Sequence, residues 1–237
     1  RGVSHYSQQY VHLMAEIAKR VFADRADYLG DPAFTEVPVQ QLLAPEYLAK
    51  RAKEINPNSI SPTSEIKPGL ESEQTTHFSI VDAAGNAVAN TYTLNLDYGS
   101  GVVVSGAGFL LNNEMDDFSA KAGVPNAFGV VGSDANAIAP GKRMLSSMTP
   151  TIILKDQQPA LVIGTPGGST IFTSIFQVIN NLYDFQMPPQ QAVAAARFHH
   201  QLLPQDQIRL EPYQTLSALT QTELTQRGYR LHTPNWD

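Results

Sequence analysis

The sequence predicts an α+β protein in which a helical segment precedes a run of strands and turns. Apolar residues between positions 8 and 29 recur at close to a 3.6-residue spacing, which is typical of an amphipathic helix. From Thr76 onward the apolar spacing changes to two, which is typical of strands with one buried face. A polar linker with three prolines, at 56–74, separates the two regions and is expected to be exposed and accessible to cleavage.

The first helix is predicted over residues 8–29, with its apolar side buried and its charged residues mostly elsewhere. Gly30 and Pro32 are expected to end it. A shorter helix is predicted over 45–55, with Pro45 in its first turn. The residues assigned to the buried side are Tyr10, Met14, Ile17, Val21 and Phe22, and the charged residues assigned elsewhere are Glu16, Lys19, Arg20 and Asp24.

Two strands joined by a tight turn follow the linker, and they are predicted over 76–82 and 87–95. Even-numbered positions carry the apolar side chains on both strands, so burying them together requires even residues to pair with even residues. In that register Thr75 lies opposite or diagonal to Thr93 and Asn95, with the three side chains on one face.

The rest of the chain is predicted to alternate short strands with helices. The stretch at 121–141 is rich in Gly, Pro, Ala and Asn and is too long for a simple turn, so we interpret it as a lid over a site. The predicted strands are 101–105, 109–112, 151–155, 160–164 and 207–210, and the predicted helices run from residue 170 to Tyr183, over 188–198 and over 216–227, the last ended by Gly228.

The composition is that of a soluble globular protein, with 237 residues of which 42% are hydrophobic and 16% charged. A net charge of −6 without a basic block argues against binding to nucleic acid. The lack of Cys excludes structural disulfides, a thiol nucleophile and Cys-ligated zinc. No apolar run is long enough to span a membrane, and the first residues, which resemble the interior of a longer protein, do not form a signal peptide.

Thr75, at the junction between linker and strand, is a candidate nucleophile. If the Gln74–Thr75 bond is cut, Thr75 gains a free α-amine that titrates at roughly 7.7 to 8 and can accept the proton of its own hydroxyl. The sequence then predicts a precursor that cuts itself and becomes active. A strand threonine that only packs is the alternative, and the neighbouring Thr93 and Asn95 bring the two interpretations close to parity.

A glycine pair at Gly167 and Gly168 follows a predicted strand and precedes a predicted helix. Backbone N–H groups at such a turn point toward one spot and suit an anion or an oxyanion. A purely structural turn is the more common role. A phosphate-binding loop needs Lys after its last glycine, whereas Ser169 follows here, so nucleotide binding is disfavoured.

Three further polar clusters each allow a functional and a structural interpretation. The carboxylates of residues 114–117 suit an ammonium group, calcium or a helix cap, and their spacing does not match a calcium loop. The hydroxyls of Ser146 and Ser147 most often make local turn bonds. His199 and His200 resemble a metal pair, but neighbouring helical residues diverge by about 100°, which favours a packing role near the end of the helix.

Taken together, six ordered blocks resemble the γ-glutamyltransferase family, also called γ-glutamyltranspeptidase or glutathione hydrolase. The resemblance covers nearly the whole chain, including YLGD at 28–31, and six blocks in order are highly specific. The blocks are TTHFSIVD at 75–82, TYTLN at 91–95, LLNNEMDDF at 110–118, KRMLSSMTP at 142–150, GTPGGS at 164–169 and RFHHQ at 197–201.

The resemblance implies a four-layer αββα sandwich of the N-terminal nucleophile hydrolases and self-cleavage between Gln74 and Thr75 into two subunits. Residues 1–74 are then the end of the large subunit and 75–237 most of the small, catalytic one. It also implies a γ-glutamyl hydrolase and transferase that takes glutathione as donor, takes water, an amino acid or a peptide as acceptor, and needs no metal or organic cofactor. A periplasmic or extracellular location is implied in the same way.

The resemblance also implies a role for each matching residue. Thr75 is the nucleophile, and Thr93 supports it through a hydrogen bond. Asn95, Glu114 and Asp117 hold the substrate's α-amino group, Ser146 and Ser147 hold its α-carboxylate, and Gly167 and Gly168 form the oxyanion hole. Residues 122–133 resemble the family's lid, with Phe128 where some members have Tyr.

Two alternatives stay open at this point. The first is a related acylase that removes glutaryl groups from β-lactam nuclei, which the ammonium-binding residues argue against. The second is a non-catalytic binding homologue or an inert fragment, because the chain resembles part of a longer precursor and the family's carboxylate-binding arginine is expected before Arg1.

Overall fold

The computed structural model describes residues 2–63, 75–119, 121, 123–124, 130 and 132–234. Helices and strands occur mostly in separate runs, as the α+β prediction requires. In chain order they are α1 (Gln8–Tyr28), α2 (Val39–Leu42), α3 (Pro45–Lys53), β1 (Thr76–Val81), β2 (Ala87–Tyr92), β3 (Thr151–Lys155), β4 (Gln158–Ile163), α4 (Ile171–Tyr183), α5 (Pro189–Ala194), β5 (Phe198–His199), β6 (Gln207–Leu210), α6 (Ala218–Arg227) and β7 (Arg230–His232), with 3-10 turns at Glu114–Asp117, Asp134–Asn136 and Gly168–Thr170.

Helix α1 starts where the sequence predicts, because the Ser7 side chain caps it by accepting the N–H of Tyr10. Its buried side packs on elements from the other end of the chain. The main core joins Tyr10, Val11, Ala15, Phe198, Ile208, Leu210, Leu216, Leu224 and Tyr229. This packing connects the segment before the predicted cut to strands β5 and β6 and helix α6, all of which follow it.

The predicted burial of α1 is only partly right. Ile17 and Val21 are exposed, whereas Glu16 is fully buried and Lys19 is nearly so. The charges are buried because they satisfy one another: Lys19 Nζ lies 3.2 Å from Glu16 Oε1 and 3.1 Å from Asp206 Oδ1.

The β1–β2 hairpin has the predicted register, with Phe78 paired with Asn90 and Ile80 with Val88. Its turn is fixed by Asp82, whose carboxylate accepts backbone N–H groups from Ala84 at 2.9 Å and Asn86 at 2.8 Å.

The apolar face of this hairpin is not buried as the pattern predicts. Its even-numbered side chains, Phe78, Ile80, Val88 and Tyr92, are exposed. Strands β3 and β4 contact the hairpin but leave these side chains 42% to 56% exposed.

The two strands predicted at 101–105 and 109–112 are only partly right. The segments pair antiparallel through one isolated bridge, between Val103 and Leu110, with the Leu111 N–H donating to the Val102 carbonyl at 2.9 Å and the Val104 N–H donating to the Phe109 carbonyl at 2.8 Å. The pairing is short because Gly101 and Gly106, which have positive φ, turn the backbone on either side of the first segment. The remaining predicted strands are confirmed within a few residues.

The histidine pair is buried, as expected for a packing role, but it is not on a helix. Helix α5 ends at Ala194, and His199 belongs to strand β5. His199 Nδ1 shares a hydrogen bond with Thr173 Oγ1 at 2.8 Å, and His200 Nδ1 bonds the Gln207 carbonyl at 2.8 Å.

None of the helices in the described ranges combines the length and hydrophobicity that crossing a membrane requires.

Candidate active site

The hairpin brings the candidate nucleophile next to its predicted partner. Thr76 pairs with Tyr92, so one step earlier along the strand Thr75 faces Thr93. The Thr75 hydroxyl donates to Thr93 Oγ1 at 3.3 Å, and the backbone N–H of Asn95 donates to the same oxygen at 2.9 Å. Because Thr93 Oγ1 accepts a hydrogen bond from the Thr75 hydroxyl, it increases the electron density on the Thr75 oxygen and orients it.

One polar cavity collects most of the residues that the sequence singled out. It is lined by Arg25, Thr75, Thr93, Asn95, Asp117, Val130, Ser146, Ser147, Met148, Gly168, Ser169 and Ile171. Glu114 and Gly167 lie outside this lining, although each is close in sequence to a residue that belongs to it. Gln74, Phe128 and most of the predicted lid lie outside the described residues.

Asn95 reaches the cavity by leaving the strand. Strand β2 ends at Tyr92, earlier than predicted, and Asn95 has a left-handed backbone with φ of 75°. Its side chain donates to the Asn113 carbonyl at 3.3 Å, and the Asn113 side chain accepts the N–H of Leu96 at 3.1 Å. These two bonds connect the end of the hairpin to the acidic turn that begins at Glu114.

Asp117 is the carboxylate that lines the cavity. Burial raises its pKa to about 7, the positive charge of Arg25 lowers it, and the neighbouring Glu114 and Asp116 raise it further. Burial also raises the pKa of Glu114. A carboxylate that burial makes costly to ionise gains from a ligand that brings a positive charge.

The two serines make the local turn bonds that the sequence suggests and still face the cavity. Ser146 Oγ accepts the N–H of Met148 at 3.1 Å, and the Ser147 carbonyl accepts the Thr149 hydroxyl at 2.9 Å. Ser147 Oγ also lies 3.5 Å from Nη2 of Arg25.

Sequence reasoning did not single out Arg25. It lies in the last turn of α1, three residues after the buried Phe22. A basic residue on the buried side of a helix is the one feature of the sequence that could have identified it.

The glycine turn has a backbone that only glycine adopts readily. Gly167 has φ of 134° and Gly168 has φ of 54°. A Cβ on Gly167 would lie 2.5 Å from Thr170 Oγ1, and a Cβ on Gly164 would lie 2.2 Å from the ring of His77. The close contact with His77, two residues after Thr75, holds this turn beside the start of the hairpin.

The segment after α1 contacts the residues that precede Ser146 and Ser147 in the chain. Asp31, which is buried, accepts the backbone N–H of Arg143 at 2.9 Å and a guanidinium N–H at 2.8 Å. A Cβ on Gly30 would lie 2.2 Å from the Ala135 carbonyl, so the two backbones meet without space for a side chain.

In the described ranges, no group of three or more His, Asp or Glu residues is arranged to hold a metal ion.

Comparison with known proteins gives a family and a class of fold. A sequence model of the family described as Gamma-glutamyltranspeptidase matches residues 1–237. The chain is 66% identical to the glutathione hydrolase proenzyme of Pseudomonas aeruginosa, over all of this chain and 42% of that protein. It is similar to a solved gamma-glutamyltranspeptidase from Pseudomonas nitroreducens complexed with L-DON, with 67% identity and a TM-score of 0.66 over 68% of this chain and 84% of that one.

A more distant structure covers nearly the whole chain. Cephalosporin acylase from Bacillus halodurans is 28% identical, with a TM-score of 0.78 over 99% of this chain and 40% of that one. Both solved structures are N-terminal nucleophile hydrolases, and the chain shares their class of fold. Within that class, the chain belongs to the gamma-glutamyltranspeptidase family. The chain spans about two fifths of the length of the Pseudomonas aeruginosa relative.

Proposed function

We propose that the full-length protein containing this chain is a self-processing γ-glutamyl hydrolase and transferase that acts on glutathione and other γ-glutamyl compounds. The observation that carries the proposal is the 3.3 Å contact between the Thr75 and Thr93 hydroxyls in a cavity that also contains Asp117 and Ser147. Membership of the gamma-glutamyltranspeptidase family supports it.

In the proposed reaction, Thr75 Oγ attacks the γ-glutamyl carbonyl while the Thr75 α-amine takes the hydroxyl proton. The carbonyl oxygen becomes an oxyanion, which the backbone N–H groups of Gly167 and Gly168 stabilise. The C–N bond then breaks, the α-amine returns the proton to the leaving amine, and a γ-glutamyl ester on Thr75 remains. Water, an amino acid or a peptide attacks this ester and releases the γ-glutamyl group.

Recognition of the γ-glutamyl group uses both ends of its amino-acid head. Asn95, Glu114 and Asp117 are proposed to bind the α-ammonium, because amide and carboxylate oxygens accept its three N–H donors. Ser146 and Ser147 are proposed to donate their hydroxyls to the α-carboxylate.

Maturation is proposed to use the same nucleophile. The Thr75 hydroxyl attacks the carbonyl of Gln74, the C–N bond between the two residues breaks, and the Thr75 nitrogen takes a proton while an ester joins the Gln74 carbonyl to Thr75 Oγ. Water then hydrolyses this ester, which leaves a carboxylate on Gln74 and a free hydroxyl and α-amine on Thr75. The two pieces remain together as a heterodimer. We further propose that the whole protein completes a four-layer αββα sandwich and that it works in the periplasm or outside the cell.

A second candidate, a glutaryl-type β-lactam acylase, is favoured by the likeness to cephalosporin acylase over 99% of the chain. Asp117 in the cavity argues against it, because a glutaryl group lacks the ammonium that would pair with that carboxylate. Hydrolysis of γ-glutamyl and glutaryl anilides by the same preparation separates the two functions, and we expect the γ-glutamyl anilide to react faster.

The first test is substitution of Thr75 in the full-length protein. We expect Thr75→Ala to leave a single uncut chain with no turnover, because both the nucleophile and the cleavage reaction need the hydroxyl. Intact mass spectrometry and N-terminal sequencing give the readout, and the wild type should yield a chain that starts at Thr75. Thr76→Ala is the matched control, since it removes the neighbouring, exposed hydroxyl and should still be cut. Normal cleavage of Thr75→Ala would contradict the proposal.

A further inference from the structure

Asn136 is a buried side chain that connects two sides of the cavity. Its Nδ2 donates to the backbone carbonyl of Asp117 at 2.7 Å, and its Oδ1 accepts the backbone N–H of Leu145 at 3.1 Å. Asp117 lines the cavity, and Leu145 directly precedes Ser146, which also lines it. Asn136 is only 3% exposed, so both bonds lie inside the protein and hold the acidic turn and the serine segment together.

The backbone around Asn136 is fixed as well. The Asn136 carbonyl accepts the N–H of Ser119 at 2.9 Å, two residues after Asp117. Ser133, which precedes the same 3-10 turn, donates its hydroxyl to the carbonyl of Asp27 in α1 at 3.1 Å. The turn is thus attached both to the end of α1 and to the segment after Asp117, and the Asn136 side chain extends from a fixed base.

We propose that Asn136 is a positioning residue that sets the spacing between the ammonium-binding and the carboxylate-binding sides of the cavity. Asn136 is not itself among the described residues that line the cavity, so it acts through Asp117 and Ser146 rather than on the ligand. The inference rests on the proposed function, since it concerns how the proposed γ-glutamyl site is held.

This role has a consequence for ligand selectivity. A ligand with two charges on one carbon atom needs both protein partners at one separation, and a displacement of about 1 Å is costly. A ligand with only one of these charges can follow its single partner when that partner moves. Loss of Asn136 is therefore expected to weaken two-charge ligands selectively.

The test compares a ligand that carries both charges with two that carry one. Competitive inhibition constants against γ-glutamyl anilide are measured on the mature full-length enzyme for L-glutamate, for glutarate, which lacks the ammonium, and for 4-aminobutanoate, which lacks the α-carboxylate. We expect Asn136→Ala to weaken L-glutamate by roughly tenfold or more and each single-charge analogue by at most about threefold. An inhibition constant does not depend on the fraction of enzyme that is folded, so lost stability alone leaves it unchanged.

Asn181→Ala is the matched control. Asn181 is 1% exposed and also joins two segments, because its Oδ1 shares a hydrogen bond with His5 Nε2 at 2.8 Å and its Nδ2 donates to the Ala192 carbonyl at 3.2 Å. Neither His5 nor Ala192 is among the described residues that line the cavity. This substitution is expected to reduce stability and to leave the three inhibition constants in their wild-type ratio.

Asn136→Ser is a second variant in case the alanine protein does not fold. A serine hydroxyl keeps a polar group in the buried position but is too short to bond both the Asp117 carbonyl and the Leu145 N–H. It should show the same selective loss of L-glutamate. A proportional loss of all three ligands, or no change for L-glutamate, would overturn the inference in either variant.

Failure of the proposed function gives a different result, namely a wild type that neither turns over γ-glutamyl anilide nor binds L-glutamate more tightly than the two analogues in calorimetry. That result overturns both proposals. If the wild type prefers L-glutamate and the Asn136 variants keep the same preference, only the role of Asn136 is wrong. If the wild type binds L-glutamate without turnover, calorimetric dissociation constants for the three ligands decide in the same way.

Discussion

Asp117 lines the cavity and is the carboxylate to which the proposed function assigns the substrate's positive charge. Burial raises the pKa of this carboxyl to about 7, and the charge of Arg25 offsets part of that rise. The group is therefore mostly protonated below pH 7 and mostly ionised above it. Only the ionised form can pair with an ammonium, so this titration is expected to control ligand affinity.

We predict that L-glutamate, as a competitive inhibitor of the mature enzyme, binds about tenfold more tightly at pH 8 than at pH 6. The ionised fraction of a group with a pKa of about 7 rises roughly tenfold over this interval. The inhibition constant measured at half-unit steps of pH gives the midpoint.

Glutarate is the matched ligand for this measurement, because it has the same carbon chain without the amine. Its affinity should stay level or fall as Asp117 ionises, and any effect of the Thr75 α-amine cancels in the ratio of the two ligands. The same pH dependence for glutamate and glutarate would show that Asp117 does not bind the ammonium.

At the level of single residues, the sequence predicts contacts within one hairpin and misses contacts between distant segments. The alternation of apolar residues defines the register, and the register alone places Thr75 beside Thr93. Arg25 is 50 residues before Thr75 in the sequence, and no local pattern specifies where the end of α1 lies relative to the hairpin. Its place in the cavity therefore required the structure.

The turn between β4 and α4 contributes Gly168 to the cavity that Thr75 also lines. Its two consecutive glycines have positive φ, and the Thr170 N–H and hydroxyl both donate to the Gly167 carbonyl, at 2.9 and 2.8 Å. These bonds fix the direction of the backbone at Gly168, which lines the cavity. An oxyanion hole depends on such fixed N–H directions.

Gly167→Ala keeps the backbone N–H but is expected to turn it away from the cavity, because alanine does not readily adopt this backbone. We therefore predict a fall in kcat of about a hundred- to a thousandfold, the usual effect of losing one oxyanion donor. The new Cβ would meet Thr170 Oγ1 at 2.5 Å, and φ of 134° is unfavourable for alanine. Acylation measured in single-turnover experiments with a γ-glutamyl anilide gives the readout.

Gly141→Ala is the control for this substitution, because Gly141 also has a positive φ, of 74°, and a Cβ there meets nothing within 4 Å. Both variants should lose thermal stability, and only Gly167→Ala should lose acylation rate. Equal rates in the two variants would exclude the turn as an oxyanion hole.

A helix or strand can be predicted from the sequence when the interactions that form it lie within a few residues of one another. Helix α1, the β1–β2 hairpin and helix α6 were predicted because caps, turns and periodicity act within a few residues. The strands predicted between 101 and 112 reduce to one short bridge, because glycines with positive φ turn the backbone on either side of it. The sequence predicts a helix up to Phe198, where strand β5 begins, because a two-residue strand depends on pairing with β6 and leaves no periodic pattern.

The whole molecule is connected across the predicted cut by the packing of α1. Val11 is fully buried in the core shared with Ile208 and Leu224, and Lys19 reaches Asp206 from the same helix. The residue spacing in α1 predicts that its charged side chains lie away from the core. This prediction is wrong for Lys19, because its partner Asp206 lies almost 190 residues later and no local pattern indicates their contact. A helix held by both apolar and ionic contacts is expected to stay in place after the backbone is cut.

We therefore predict that the two pieces produced by cleavage at Thr75 co-elute in native size-exclusion chromatography and separate only in denaturant. Val11→Ala should weaken their association by about 2 kcal/mol, since it leaves a cavity in a closely packed core. Urea titration of the cleaved protein, followed by the appearance of the free pieces, measures this change. Val21→Ala makes the same substitution on the same helix at a side chain that is 45% exposed within the described residues, and it should move the midpoint much less. Equal shifts for the Val11 and Val21 variants would mean that α1 is held mainly by contacts other than this core. Spontaneous separation of the wild-type pieces would mean that α1 does not hold them together.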